Sequence, residues 1–218
     1  MESIDLTIDP NHEIFNSIIR DKLDFLSLTI KVLEVFLNRY SESDKVTIKT
    51  ADYLDQVGFG CVNDKMRRIF LITPKKYVSF HFPFDIASEN LKFGFCLMSA
   101  NTSGKFKIDL SVLSYLREVI HILRQDSNMD AIVEVIWEAD QSLKIDFGSI
   151  FNYMILMEDG YIRYDYDTEN ENGDFHPIHH LDIFYGQNTT FKIGLKDKMT
   201  PSSMHNLLDI KQKCNYLS

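Results

Sequence analysis

The pattern of apolar residues predicts one long helix near the start of the chain. From about residue 12 to residue 40, apolar residues recur at spacings of three and four, as on the buried side of a helix. Asn11 precedes this run and is a residue type that caps helix N-termini. Further apolar residues widen the stripe beyond one face, so we expect the helix to be buried on much of its circumference.

Two more helices are predicted further along the chain. The apolar spacing indicates a helix that starts at Asp109 or Ser111 and ends near Arg124. A terminal helix is predicted over about residues 201–214, because Thr200 is a good N-cap and Pro201 suits the first helical position. Residues 131–137 fit either a helix or a strand.

Apolar runs between turn residues predict several strands. The first of them are residues 45–50, 70–73, 77–80 and 93–98. Residues 153–158 and 161–167 flank Asp159-Gly160, a dipeptide that is typical of a two-residue hairpin turn. These two runs are therefore expected to pair as a hairpin.

A second hairpin is predicted over residues 179–195. With a three-residue loop, Leu181 faces Ile193 and Ile183 faces Phe191, so that one face of the hairpin is apolar. His180 and Asp182 then lie on the opposite, polar face.

Strand alternation also predicts a polar face on the preceding strand. Arg163, Asp165 and Asp167 all point to one side of it, because side chains alternate along a strand. If this strand lies beside His180 and Asp182 in one sheet, the two polar sets converge, with opposed side chains ~5 Å apart.

The elements together predict an α+β fold. We expect a mainly antiparallel sheet, with the long N-terminal helix and the second long helix packed on it. No internal repeat or linker divides the sequence, so residues 1–218 are predicted to form a single α+β domain.

The amino-acid composition indicates which kind of partner and which cellular compartment to expect. The 32 acidic and 23 basic residues give a net charge of −9, which does not favour a nucleic acid as partner. The three cysteines form no CxxC pair, as expected for a reducing cytoplasm. The acidic start of the chain does not resemble a signal peptide, and the most apolar stretch, residues 25–37, is too short to cross a membrane. We therefore expect a cytoplasmic protein without membrane contact.

Candidate chemistry concentrates around three histidines, His176, His179 and His180. Histidine can transfer protons near neutral pH, and Arg163 could hold a phosphate or carboxylate. The candidate catalytic residues are Arg163, Asp165, His176 and His180. The same segment could bind a divalent metal, with candidate ligands Asp165, His176, His180 and Asp182.

A structural interpretation of the same residues stays open. Asp165 could simply pair with Arg163, and Asp182 could pair with Lys192. The usual motifs for a zinc protease, a serine hydrolase, a P-loop or a dinucleotide site do not occur in the chain. Residues 161–185 contain six acidic residues and one basic residue, so an acidic loop there could meet a basic protein partner.

The ending of the chain resembles an uncharacterised bacterial family, the domain of unknown function 2290. The resemblance lies in the run from Arg163 to Asp167, in His176-Pro177 and in His180, and it covers about residues 160–210. The family pattern has a further histidine where this chain has Asp182. If the family pattern implies a metal, Asp182 would supply an oxygen ligand in place of that histidine.

The ending is also similar to that of some toxins of toxin–antitoxin pairs, which implies a bacterial conflict system, either antiphage defence or toxin–antitoxin. The first expectation is an accessory or effector subunit that acts through another protein of the same operon. The alternative is a hydrolase or nuclease that cleaves phosphodiesters at the Arg/Asp/His site. In that alternative, His176 or His180 transfers protons, Arg163 stabilises phosphate charge, and Asp165 orients a histidine or binds a metal.

Overall fold

The chain folds into two compact units. The computed structural model describes residues 3–9, 11–42, 58–63, 66–89, 92–98, 105–125, 128–186 and 189–213. The first unit comprises residues 1–16, 47–82 and 159–218, and the second comprises residues 17–46 and 83–158. That residues 1–218 form a single domain stays a prediction.

An antiparallel sheet of seven strands forms the first unit. Numbered in chain order, its strands are β1 (Ser3–Ile8), β2 (Gly58–Asn63), β3 (Arg68–Ile72), β4 (Lys76–His81), β8 (Tyr161–Tyr166), β9 (His179–Gly186) and β10 (Thr189–Gly194). They lie in the order β1-β2-β3-β4-β8-β9-β10, and each neighbouring pair is antiparallel. The predicted α+β class with a mainly antiparallel sheet is confirmed.

One face of this sheet carries the apolar core of the first unit. Its buried residues are Phe70, Ile72, Tyr77, Tyr164, Leu181 and Met204. Met204 comes from the terminal helix α5 (Pro201–Leu208), so this helix covers the face. As predicted, Thr200 caps α5 by accepting a hydrogen bond from the backbone N–H of Ser203, but the helix ends at Leu208.

The second unit combines helices with a three-stranded antiparallel sheet. Its elements are α1 (Lys22–Glu42), β5 (Asp85–Glu89), β6 (Lys92–Met98), β7 (Lys105–Ile108), α2 (Leu110–Gln125), α3 (Met129–Leu143) and α4 (Phe147–Leu156). Helix α1 packs against α2 and β6, and α3 packs against α2 and α4. In the part of the chain that is described, no helix is both long and apolar enough to cross a membrane.

The N-terminal helical pattern divides into two pieces. A short 3-10 helix covers Glu13–Asn16, and the long helix starts only at Lys22. The break has a local cause, because the Asp21 carboxylate accepts a hydrogen bond from the backbone N–H of Asp24 at 2.8 Å and so forms a cap. The second predicted helix is confirmed as α2, whose start is capped by Asp109.

The first predicted hairpin is wrong. Residues 153–156 of the predicted first strand belong to α4, and β8 pairs with β4 and β9 instead. The apolar run of α4 has no strand alternation, and the Asp146 carboxylate caps it by accepting a hydrogen bond from the Ser149 N–H at 2.9 Å. The ambiguous residues 131–137 are helical for a similar reason, since Asn128 caps α3.

The second predicted hairpin is confirmed. Strands β9 and β10 pair with Leu181 opposite Ile193 and Ile183 opposite Phe191. The strands predicted over residues 70–73, 77–80 and 93–98 correspond to β3, β4 and β6. The strand predicted over residues 45–50 lies outside the described residues.

Candidate polar site

Four neighbouring strands place charged side chains on one face of the seven-stranded sheet. Arg163 on β8 lies opposite Asp182 on β9, and Asp165 lies opposite His180. Lys76 on β4 is the partner of Asp165 on the other side of β8. Lys192 on β10 lies opposite Asp182. The predicted convergence of the two polar sets follows from this register, since opposed residues share a face.

Arg163 joins the two carboxylates of this cluster. Its Nε donates a hydrogen bond to Asp165 Oδ2 at 2.6 Å, and its Nη2 donates to Asp182 Oδ2. Burial opposes the charge of the guanidinium, but the charges of Asp165 and Asp182 outweigh it and raise the pKa of Arg163. The guanidinium therefore binds both carboxylates and holds them close together.

His180 lies beneath this ion pair and is only 1% exposed. Its Nδ1 donates a hydrogen bond to the Pro177 carbonyl oxygen at 2.8 Å, because a carbonyl oxygen can only accept. The other nitrogen, Nε2, faces Asp165 Oδ2 at 3.7 Å and Asp182 Oδ2 at 4.0 Å. These two distances exceed those of a hydrogen bond, so Nε2 forms none with either carboxylate.

His176 lies beside His180, with ring centroids 4.7 Å apart and an edge-to-face orientation. Its Nε2 is 3.2 Å from Asp167 Oδ2, and its Nδ1 is 3.3 Å from Lys192 Nζ. Because an ammonium group can only donate, Nδ1 accepts and Nε2 donates to the carboxylate. The structure thus brings the four predicted residues together, with His176 in ring contact with His180 and with no direct bond to Arg163.

His179 belongs to the opposite face. Its Nδ1 forms a hydrogen bond of 2.9 Å with the Tyr164 hydroxyl, and its ring stacks on Tyr166 at 5.1 Å. This histidine therefore supplies a hydrogen-bond partner for the hydroxyl of Tyr164, a buried residue of the apolar core.

Three of the four predicted metal ligands could meet one ion. Asp165, His180 and Asp182 each offer an atom within 4.8 Å of the others, whereas His176 is outside this set. A mixed set of one nitrogen and two oxygens suits a first-row divalent metal. The Oδ1 atom of Asp182 is buried and, among the described residues, accepts no hydrogen bond, although Lys192 Nζ lies 3.6 Å away. Arg163 already binds Oδ2 of both carboxylates, so a metal would have to share these carboxylates with Arg163 or displace it.

Sequence reasoning did not find Lys76 as a member of the cluster. Burial lowers the pKa of this lysine, and the charge of Arg163 lowers it further. Lys76 belongs to a basic turn in the sequence, and only the pairing of β4 with β8 brings it near Asp165. No local signal marks that pairing, because most of the second unit lies between β4 and β8 along the chain.

The segment between β8 and β9 forms a loop that projects from this cluster. We define the acidic loop as residues 167–175; among its exposed residues are Glu169, Glu171, Asp174 and Phe175. Phe175 is 89% exposed. At the base of the loop, the Asp167 N–H donates to the Ile178 carbonyl oxygen at 2.9 Å.

Local hydrogen bonds shape the acidic loop. The Asp167 carboxylate accepts from the side chain and the N–H of Asn170 and from the N–H of Glu169. These bonds, those of Asn170 first, hold the pKa of Asp167 well below its usual range. A bridge between Asn172 and His176 closes the far side of the loop. The polar cluster and the acidic loop are therefore connected through His176, which contacts both His180 and Asp167.

Comparisons of the chain with protein-family models, with curated proteins and with solved structures find no match. The resemblance to the domain of unknown function 2290 stays a prediction, as does the predicted cytoplasmic location.

Proposed function

We propose that this chain is a subunit that acts by binding a protein partner, through the acidic loop. The observation that carries the proposal is Phe175, an aromatic side chain that is 89% exposed on a loop of carboxylates. Exposed aromatic residues are costly to hydrate and often anchor protein interfaces. The neighbouring charges of Glu169, Glu171 and Asp174 select a basic surface around the pocket that receives the ring.

The polar cluster supports this proposal as the base of the loop. Arg163 and Lys192 compensate the charges of Asp165 and Asp182, and His180 is too buried to meet a substrate. A paired network of this kind fixes neighbouring strands relative to one another. Through His176, it also fixes one end of the acidic loop.

The conflict-system role rests on the resemblance of the C-terminal motif alone. In that role, the partner is another protein of the same operon, and the chain is its accessory or effector subunit. The basic surface that the acidic loop requires gives a criterion for choosing among the gene neighbours.

Replacing Phe175 with Ala is expected to weaken binding of such a partner by about tenfold or more, because anchors of this kind contribute a large share of affinity. Isothermal titration of the purified chain against each protein encoded beside it would measure this change. Tyr185→Ala is the matched control, since Tyr185 is also an exposed aromatic residue on the first unit. Equal losses in both variants, or no binding by any neighbour, would contradict the proposal.

A second candidate function is phosphodiester hydrolysis, and the partly accessible ring of His176 favours it. Asp167 orients the ring through Nε2, so a phosphate that draws Lys192 away would free Nδ1 to accept a proton from water. Arg163 and Lys192 would then hold the phosphate oxygens. His180, by contrast, is almost completely shielded from solvent.

If this second function holds, His176→Ala lowers phosphodiesterase activity by about 10²–10⁴-fold, the usual contribution of general acid–base catalysis. Hydrolysis of bis(p-nitrophenyl) phosphate and of labelled RNA and DNA would be measured with and without Mn²⁺. His121→Ala on α2 is the control, because that histidine is exposed and distant in sequence. Activity that survives His176→Ala would exclude this site as its source.

A further inference from the structure

Helix α3 exposes a row of apolar residues. Met129, Val133 and Trp137 follow one another at intervals of four, and they are 64%, 60% and 65% exposed. Another side of the same helix is already buried through Ile132 and Val135. The exposed row is therefore additional to the side that packs within the second unit, and it spans about 12 Å along the helix axis.

A row of acidic residues runs directly beside the apolar row. Asp130, Glu134 and Glu138 each follow an apolar residue by one position, and all three are exposed. Helix α3 contains no lysine or arginine that would compensate them. We define the α3 face as these two adjacent rows. It combines a narrow apolar ridge with negative charge on one flank.

We propose that the α3 face binds an amphipathic helix of another protein that carries apolar residues at intervals of four and a flanking row of Lys or Arg. A straight ridge of side chains at intervals of four fits the groove of a second helix. The single tryptophan of the chain lies on this ridge, and tryptophan is enriched among residues that dominate binding energy. The basic row follows from charge complementarity with the acidic flank.

The acidic flank argues against three other occupants. A second copy of the chain, packed antiparallel, would place one acidic row against the other. Nucleic acids and anionic lipid surfaces both carry negative charge and would be repelled. A basic helix is the occupant for which both rows of the α3 face are favourable.

This inference goes beyond the proposed function, because it concerns another surface, on the second unit. The acidic loop belongs to the first unit. Variants on α3 leave Phe175 unchanged, and variants in the acidic loop leave Trp137 unchanged, so the two proposals succeed or fail separately.

The test uses the full chain and designed helical peptides. One peptide carries leucines at every fourth position with a flanking row of lysines, and a second has the same leucines with glutamates. Because the chain has one tryptophan, its emission reports contact with the α3 face directly. We expect a saturable blue shift with the basic peptide and at least tenfold weaker binding of the acidic peptide.

Variants make the assignment specific. Measured by anisotropy of labelled peptide, Trp137→Gln should weaken binding of the basic peptide about tenfold or more. Leu156→Gln on α4, which is also strongly exposed, should leave it unchanged. Glu134→Lys combined with Glu138→Lys should reverse the preference in favour of the acidic peptide. Circular dichroism and melting temperature verify that each variant is folded.

Several results would overturn the inference. Equal binding of both peptides, or no saturable binding, would remove the basic helix as occupant. A dimer in sedimentation experiments that Trp137→Gln dissociates would assign the α3 face to a second copy. Binding to anionic vesicles that depends on Trp137 would assign it to a membrane surface.

Discussion

Replacing Arg163 with Met is expected to destabilise the first unit by about 1–3 kcal/mol, the usual cost of leaving a largely buried polar group without its hydrogen-bond partner. The side chains of Asp165 and Asp182 are only 17% and 9% exposed, and both bind the guanidinium. Without Arg163, these carboxylates lose their shared hydrogen-bond donor while remaining largely shielded from water. Of the two carboxylates, Lys192 contacts only that of Asp182, at 3.6 Å, so it cannot replace Arg163. Urea denaturation, with hydrogen exchange to localise the change, would measure the loss.

A surface ion pair of the same type gives the matched control. Arg124 and Asp24 are 2.6 Å apart, but their side chains are 45% and 24% exposed. Arg124→Met is expected to cost no more than about 1 kcal/mol, because water screens an exposed pair. Comparable losses of unfolding free energy in Arg163→Met and Arg124→Met would show that burial does not strengthen the ion pairs of Arg163.

Replacing both carboxylates should restore part of the stability that Arg163→Met loses. In Arg163→Met combined with Asp165→Asn and Asp182→Asn, no unpaired carboxylate remains at these two positions, so much of the lost stability should return. If the triple variant is no more stable than Arg163→Met, the cost comes from lost packing of the arginine side chain. That result would contradict a stabilising role of the two ion pairs.

Two local rules placed the members of the polar cluster on the correct face of each strand. Alternation placed Arg163 and Asp165 on one side of β8, and the β9–β10 register placed His180 and Asp182 on one side of β9. The sequence could not show that β8 and β9 are neighbours. That adjacency was a condition of the prediction, and the structure supplies it.

The wrong predictions concern segments in which a local sequence signal was correct but the elements on either side of it were misassigned. Asp159-Gly160 is a good hairpin turn, but it connects α4 to β8, whose neighbours are β4 and β9. A short apolar run fits a helix or a strand equally well, and in this chain the caps at Asp146 and Asn128 favoured the helix. The exposed ridge of α3 was missed for this reason, since its interval of four has meaning only in a helix.

Truncating the core of the second unit tests the single-domain prediction. Phe36 is fully buried, and its ring meets Phe95 edge-to-face at 6.1 Å. Phe36→Ala is expected to cost about 3–5 kcal/mol, because it removes a large apolar side chain and leaves a cavity. For a domain of this size, the loss corresponds to a fall in melting temperature of roughly 6–20 °C.

The decisive measurement is which strands and helices lose stability in Phe36→Ala. The backbone passes between the two units four times, as the order 1–16, 17–46, 47–82, 83–158 and 159–218 shows. If residues 1–218 form a single domain, hydrogen exchange by mass spectrometry should show β4, β8 and β9 losing protection together with α1, in one cooperative transition. Phe36→Leu is the control and should shift the same transition by a smaller amount. Loss of protection confined to the second unit would mean that the chain contains two domains, and the prediction would then be wrong.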